Sequence, residues 1–157
     1  SVAARAIYYL PYRASIHGEY RYFSDTWGIS AHTVELGYVH ALNERWSLEG
    51  SIRYYRQSEA DFYSDLFAFE NSQTHLARDK EMSSLSGTTL AAGAVYEWKQ
   101  PSLPGIKRVQ VSLLLDWLNF DYDNFRDVTA PGSYLPGEEP LYSFDALVTR
   151  ASLILEY

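Results

Sequence analysis

The sequence predicts an all-β protein, an antiparallel up-and-down transmembrane β-barrel or part of one, and three observations predict it. Apolar and polar residues alternate with a period of two along almost the whole chain, and helical spacing is absent. There are 14 Tyr, 4 Trp and 7 Phe in only 157 residues. The mean hydropathy is nevertheless −0.28, a value that arises when lipid-facing and water-facing side chains alternate and averaging hides both surfaces.

Taken in order, the first segment sets Ala4, Ala6, Tyr8 and Leu10 against Arg5, Ile7 and Tyr9 before a turn at Pro11. In 14–25, Ala14, Ile16, Tyr20 and Tyr22 oppose Ser15, His17, Glu19, Arg21 and Asp25. Val34, Leu36, Tyr38 and Leu42 then oppose Thr33, Glu35, Gly37 and Val39. The polar turn Asn43-Glu44-Arg45 leads into Trp46 to Gln57, where Trp46, Leu48, Ile52 and Tyr54 share one face and Ser47, Glu49, Ser51, Arg53 and Tyr55 the other, so the pair reads as a tight hairpin. In 88–99, Leu90, Ala92, Ala94, Tyr96 and Trp98 oppose Thr89, Gly93, Val95 and Glu97, before a turn holding Pro101, Pro104 and Gly105. In 108–122, Val109, Val111, Leu113, Leu115 and Trp117 oppose Gln110, Ser112, Leu114, Asp116 and Leu118. The last strand sets Leu147, Thr149, Ala151, Leu153, Leu155 and Tyr157 against Val148, Arg150, Ser152, Ile154 and Glu156.

About seven strands result, within a single domain or barrel fragment spanning 1–157. Their connections are short near 11–13, 43–45 and 100–106, and mostly longer near 26–30, 59–81 and 123–140. Outer-membrane barrels sort turns in this way, brief on the periplasmic side and extended outside. Aromatic positions agree: Trp46, Trp98 and Tyr157 fall on greasy faces at short-turn ends, and Tyr22, Tyr54 and Trp117 toward long-loop ends, two expected girdles. From Trp46 to Tyr54 a tilted strand climbs roughly 20 Å, close to the apolar band of such barrels. An odd strand count puts Ser1 on the long-loop side when Tyr157 lies on the short-turn side. Since single-chain bacterial barrels have even strand numbers, the chain reads as the C-terminal part of a larger barrel, or as an eight-stranded one with a strand missing or overlooked. Ser1, with no leader before it, reads as a processed or truncated start.

Composition narrows the alternatives. A net charge of −7 without any Lys/Arg cluster speaks against a nucleic-acid partner, and the absence of Cys excludes disulfides and thiolate metal sites. The longest aliphatic run, Leu113-Leu114-Leu115, is far too short for a membrane-spanning helix.

The wet faces supply the expected lumen lining: Arg5 on the first strand; His17, Glu19 and Arg21 on the second; Glu35 on the third; Glu49 and Arg53 on the fourth; and Glu97, Asp116 and Arg150 on the last three. In a narrow barrel these would pair into an ionic plug, and in a wide one they would line water and bias ion selectivity. Asp61, Asp65, Glu70, Asp121, Asp123, Asn124 and Asp127 put hard oxygen ligands in the outer loops, but Asp121-Tyr122-Asp123-Asn124 lacks the EF-hand spacing and glycine, so it is a weak calcium candidate against a plain solvated acidic loop. Of His17, His32, His40 and His75, only His17 lies on a wet mid-strand face, with Ser15 and Glu19 two residues away. Strand geometry produces that spacing by itself, so no catalytic residues and no cofactor are expected.

The terminal run Leu153, Leu155, Tyr157 looks like the C-terminal signal that the bacterial barrel-assembly machinery reads as an unpaired strand. RYFSDTWGI at 21–29, HTVELGYVHAL at 32–42, RYYRQSEADFY at 53–63, ARDKEMS at 77–83 and FDYDNFRD at 120–127 together resemble the C-terminal portion of a family of uncharacterised proteobacterial outer-membrane proteins. The resemblance implies a barrel with a longer N-terminal region in the bacterial outer membrane, contacting lipid and the assembly machinery, and brings no activity. The expected function is a passive pore or the barrel component of an envelope assembly, with the oligomeric state open. The alternatives are a soluble β-barrel or sandwich that binds a small apolar ligand, and an outer-membrane acyl hydrolase or transferase.

Overall fold

The computed structural model describes residues 1–67, 74–75, 77–99 and 104–157. Seven strands follow in chain order: β1 (Val2–Leu10), β2 (Ala14–Ser24), β3 (Ser30–Ala41), β4 (Trp46–Gln57), β5 (Leu85–Lys99), β6 (Arg108–Arg126) and β7 (Leu141–Glu156). Each pairs antiparallel with the next in one up-and-down sheet. A 3-10 turn at Lys80–Met82 is the helical structure among the described residues. Glu70 and Pro101 lie outside those residues.

The sheet is open, with β1 and β7 as its two edges. Because every step across it reverses direction, β1 and β7 run the same way and neither can be the antiparallel partner of the other.

Register turns seven alternating segments into two continuous faces. Leu36, Ile52, Leu90, Trp117 and Leu147 are successive cross-strand neighbours on one face. Arg5, Glu19, Glu35, Arg53, Thr89 and Leu118 form such a row on the other. A slip of one residue anywhere would exchange the two faces, so the alternation that builds the strands also fixes their pairing.

Two strands extend past their expected limits: β5 starts at Leu85 and β6 continues to Arg126, so the loop expected near 123–140 is shorter than the sequence indicates. Two causes are visible. At the long-loop end the polarity inverts, with Phe120 and Tyr122 turned to the face that carries Asp116 below, while Asp121 turns outward. A register shift between Asp121 and Arg126 then interrupts the alternation.

The tightest core lies at that end rather than beneath the sheet. Ile29, Ala60 and Tyr63 are buried together, with Phe62, Met82 and Phe125 packed on them. The loop after β4 is hydrogen-bonded into place: the Ala60 N–H donates to the Met82 carbonyl (2.8 Å), the Asp61 N–H to the Trp27 carbonyl (2.8 Å), and the Tyr63 hydroxyl to the Asn124 carbonyl (3.0 Å). Asp65, its side chain only 15% exposed, lies between Arg78 (3.0 Å) and Arg126 (3.6 Å), tying this loop to the tip of β6.

Candidate functional site

Two surfaces of the sheet carry chemistry, and the outward one is set by what it lacks. From the row of Leu36, Ile52, Leu90, Trp117 and Leu147 down to the short turns, outward positions hold no Asp, Glu, Lys or Arg. Most large side chains there are open to solvent, Leu113 at 48% and Leu153 at 63%, and no second layer of the described chain covers them. A face this large and this apolar is far beyond the scattered hydrophobes of an ordinary soluble surface. Above that row Asp145, Asp121 and Arg56 appear on the same side.

Aromatic rings border the charge-free face. At the short-turn end the Trp46 and Tyr96 rings lie 4.9 Å apart, and Trp98 is one cross-strand row further along. Tyr157 follows β7 and is exposed. At the other end Trp117 sits in the uppermost charge-free row, Tyr54 in the next, and Tyr22 against the His32 ring at 5.1 Å, with the Tyr20 hydroxyl bonded to His32 Nδ1 at 2.8 Å.

The opposite face, termed inner for this sheet, carries all ten residues expected to line a lumen on one side of the strands, and most of their charges are paired. Glu19 meets Arg5 (3.4 Å) and Arg21 (3.8 Å), and His17 Nε2 meets Glu35 Oε1 (3.5 Å). Asp116 holds Arg150 (2.8 Å), and Arg108 bridges Glu97 (3.4 Å) and Glu156 (2.7 Å). The His17 ring occupies the space a Cβ would take at Gly37, so glycine is what lets imidazole cross β3 at that height. Glu49 and Arg53 have no ion pair among the described residues. The face carries a trough of about 580 Å³ with His17, Glu35, Glu49 and Arg53 on one side and Leu114, Asp116 and Arg150 on the other.

Among the described residues the loop-end oxygen ligands do not converge. Asp121 pairs with Ser86 of β5, and Asp123 approaches Arg56 (3.9 Å). The Asn124 side chain is taken up by Glu59 and by the Ser84 N–H, and Asp127 accepts from the Thr129 hydroxyl (2.6 Å) and N–H (2.9 Å). These Thr129 bonds hold the Asp127 carboxyl below the usual carboxylate range. Among the described residues no group of three His, Asp or Glu is placed to hold a metal ion. Nor, among them, does any hydroxyl bond to His17; His32 and His40 are bonded to Tyr20 and Tyr38, and His75 lies 6.4 Å from the Phe62 ring. Burial, reinforced by the Asp65 charge, pushes the Tyr63 phenol up to about 12.

One feature of the inner face escapes a reading by alternation alone. Near the long loops Phe120 stacks on Phe144 (5.1 Å, 14° between planes), and Tyr122 meets Tyr142 edge to face at 5.3 Å. Aromatics two apart that alternate with Asp121, Ser143 and Asp145 are the mark of strands whose greasy side has turned inward.

Residues 1–100 match the model of a family described as protein of unknown function, DUF3570. Four of the five resembling segments fall within that range, and 120–127 lies beyond it. No curated protein and no solved structure matches the chain.

Proposed function

We propose a function for this chain, which belongs to the DUF3570 family, from its two-faced sheet: it is part of the wall of a β-barrel in a bacterial outer membrane, acting as a passive pore or as the barrel component of an envelope assembly. The observation that carries the reading is the continuous, exposed, charge-free outward face bordered by aromatic rings and set against an ionic inner face. In water that face is a liability; in a bilayer it is the solvated side, and aromatic rings belong at its borders. An acyl hydrolase or transferase would need a nucleophile and base in contact, and no observation favours one.

In this reading the wall between β7 and β1 is made by an odd number of further strands, since only that keeps every seam antiparallel. The paired charges keep the inner face from repelling itself, and the trough leaves room for water and small solutes between them.

The test is insertion of the protein together with the further strands this reading requires into lipid vesicles loaded with a small ionic dye and a large dextran. A pore inserts with β structure and releases the dye while retaining the dextran, and a plugged assembly barrel inserts and retains both. A chain that stays in the aqueous phase as a folded β protein overturns the reading.

A further inference from the structure

We propose that Arg53, Tyr55 and Phe120 form a binding subsite on the inner face for small aromatic carboxylates. The proposal names a solute class for the pore, and rests on that reading for the route by which the solute arrives.

Of the two arginines lining the trough, Arg150 is held by Asp116 (2.8 Å), whereas Arg53 has no carboxylate within ion-pair distance among the described residues. Its cross-strand neighbour Glu35 is engaged with His17 (3.5 Å). A guanidinium carries five donors in a planar fork and no acceptor, a shape matched by a carboxylate accepting two parallel bonds.

What lies beside Arg53 selects the rest of the ligand. Arg53 also lines a second recess of about 260 Å³, shared with Tyr55, Gly87, Thr89, Leu118 and Phe120. Gly87 lets the Phe120 ring lie over the β5 backbone, close enough that a Cβ there would meet its Cε1 at 2.6 Å. The Phe120 ring is stacked on Phe144, so the aromatic wall is braced. Flat rings favour a flat apolar partner, and a cation at the rim fixes the sign of its polar end. The recess is a little smaller than the roughly 300 Å³ at which drug-sized sites begin, which limits the ligand to a single ring with one anionic group. Acetate has the charge without the ring, and benzylamine has the ring with the wrong charge.

The experiment is isothermal titration of benzoate, acetate and benzylamine into the full chain in detergent micelles, with circular dichroism to establish that each variant keeps its β structure. Benzoate is expected to bind saturably. Arg53→Gln is expected to weaken it at least tenfold, the loss of a forked, charge-assisted pair, and Arg53→Lys less, since charge remains and the fork does not. Phe120→Leu is expected to weaken it about threefold. Arg56→Gln, on the outward side of the same strand, leaves it unchanged. The proposal is overturned by absence of saturable benzoate binding, by equal binding of benzylamine, by Arg53→Lys and Arg53→Gln both binding like the parent, or by Arg56→Gln losing as much as Arg53→Gln. Insertion into vesicles without benzoate binding removes this inference alone; benzoate binding without insertion removes the membrane reading alone.

Discussion

The lower and upper halves of β6 are built to opposite rules. From Val109 to Trp117 the outward side chains are Val, Leu and Trp, while Ser112 and Asp116 face inward. From Asn119 upward, Asn119 and Asp121 face outward, while Phe120 and Tyr122 face inward. β7 changes over at the same height, with Leu147 outward below and Asp145 and Ser143 outward above. Backbone geometry is continuous through the change, so strand period does not decide polarity; what each side packs against does. The upper part has an interior, made by loops that pack Ile29, Ala60 and Tyr63 together, and its aromatics turn toward it. Among the described residues the lower part has no buried apolar cluster to turn toward, and its large outward side chains are open to solvent.

The difference between the halves can be broken most forcefully by an outward charge. Leu113→Arg is expected to destabilise folding into vesicles by about 2–4 kcal/mol, read from the urea dependence of insertion, whereas Ser143→Arg, outward but above the changeover, costs about 0–1 kcal/mol. Equal costs would erase the boundary between the halves.

The upper half is sharpened by cutting its loops free. Asp65→Ala removes the carboxylate shared by Arg78 and Arg126, a loss of about 1.5–3 kcal/mol, and should appear as faster proteolysis between β4 and β5 with the lower strands still protected from hydrogen exchange. Tyr63→Phe costs less, about 1 kcal/mol for the bond to the Asn124 carbonyl.

Tyr63 also gives the upper half a pH signature. Its folded pKa of about 12 lies above the value near 10 of an unfolded chain, so the folded state holds the proton more tightly. The contribution is fully present below pH 10 and is lost as the pH rises toward 12. Tyr63→Phe should flatten that alkaline decline in urea midpoints. Smallest of all, Arg56→Gln breaks an exposed pair with Asp123 at 3.9 Å and is expected to change stability by less than about 0.5 kcal/mol.

The sequence makes the lower half legible and leaves the upper half dark, for the same physical reason. Where one side is uniformly apolar and the other polar, Trp46, Leu48, Ile52 and Tyr54 announce both strand and face, and the ten charged positions follow by parity. Where the greasy side switches, as at Phe120 and Phe144, alternation persists but its phase does not, and a segment such as 123–126 reads as acidic loop. The Ile29, Ala60 and Tyr63 cluster joins residues far apart in sequence with no period between them, so nothing local marks it. The ion pairs are a matter of register: that Glu35 meets His17, leaving Arg53 beside Phe120, follows from which strands are neighbours and how glycines at 37 and 87 let rings cross them.

Whether hydrocarbon lies against the outward face can be read from the tryptophans. In Trp27→Phe, which removes the loop indole, the remaining Trp46, Trp98 and Trp117 all project from the outward face, two near its lower border and one near its upper. In vesicles of lipids brominated at defined depths, all three are expected to be quenched by bromine near the bilayer surfaces and shielded from aqueous iodide. Strong iodide quenching with none from bromine would place that face in water and contradict the membrane reading.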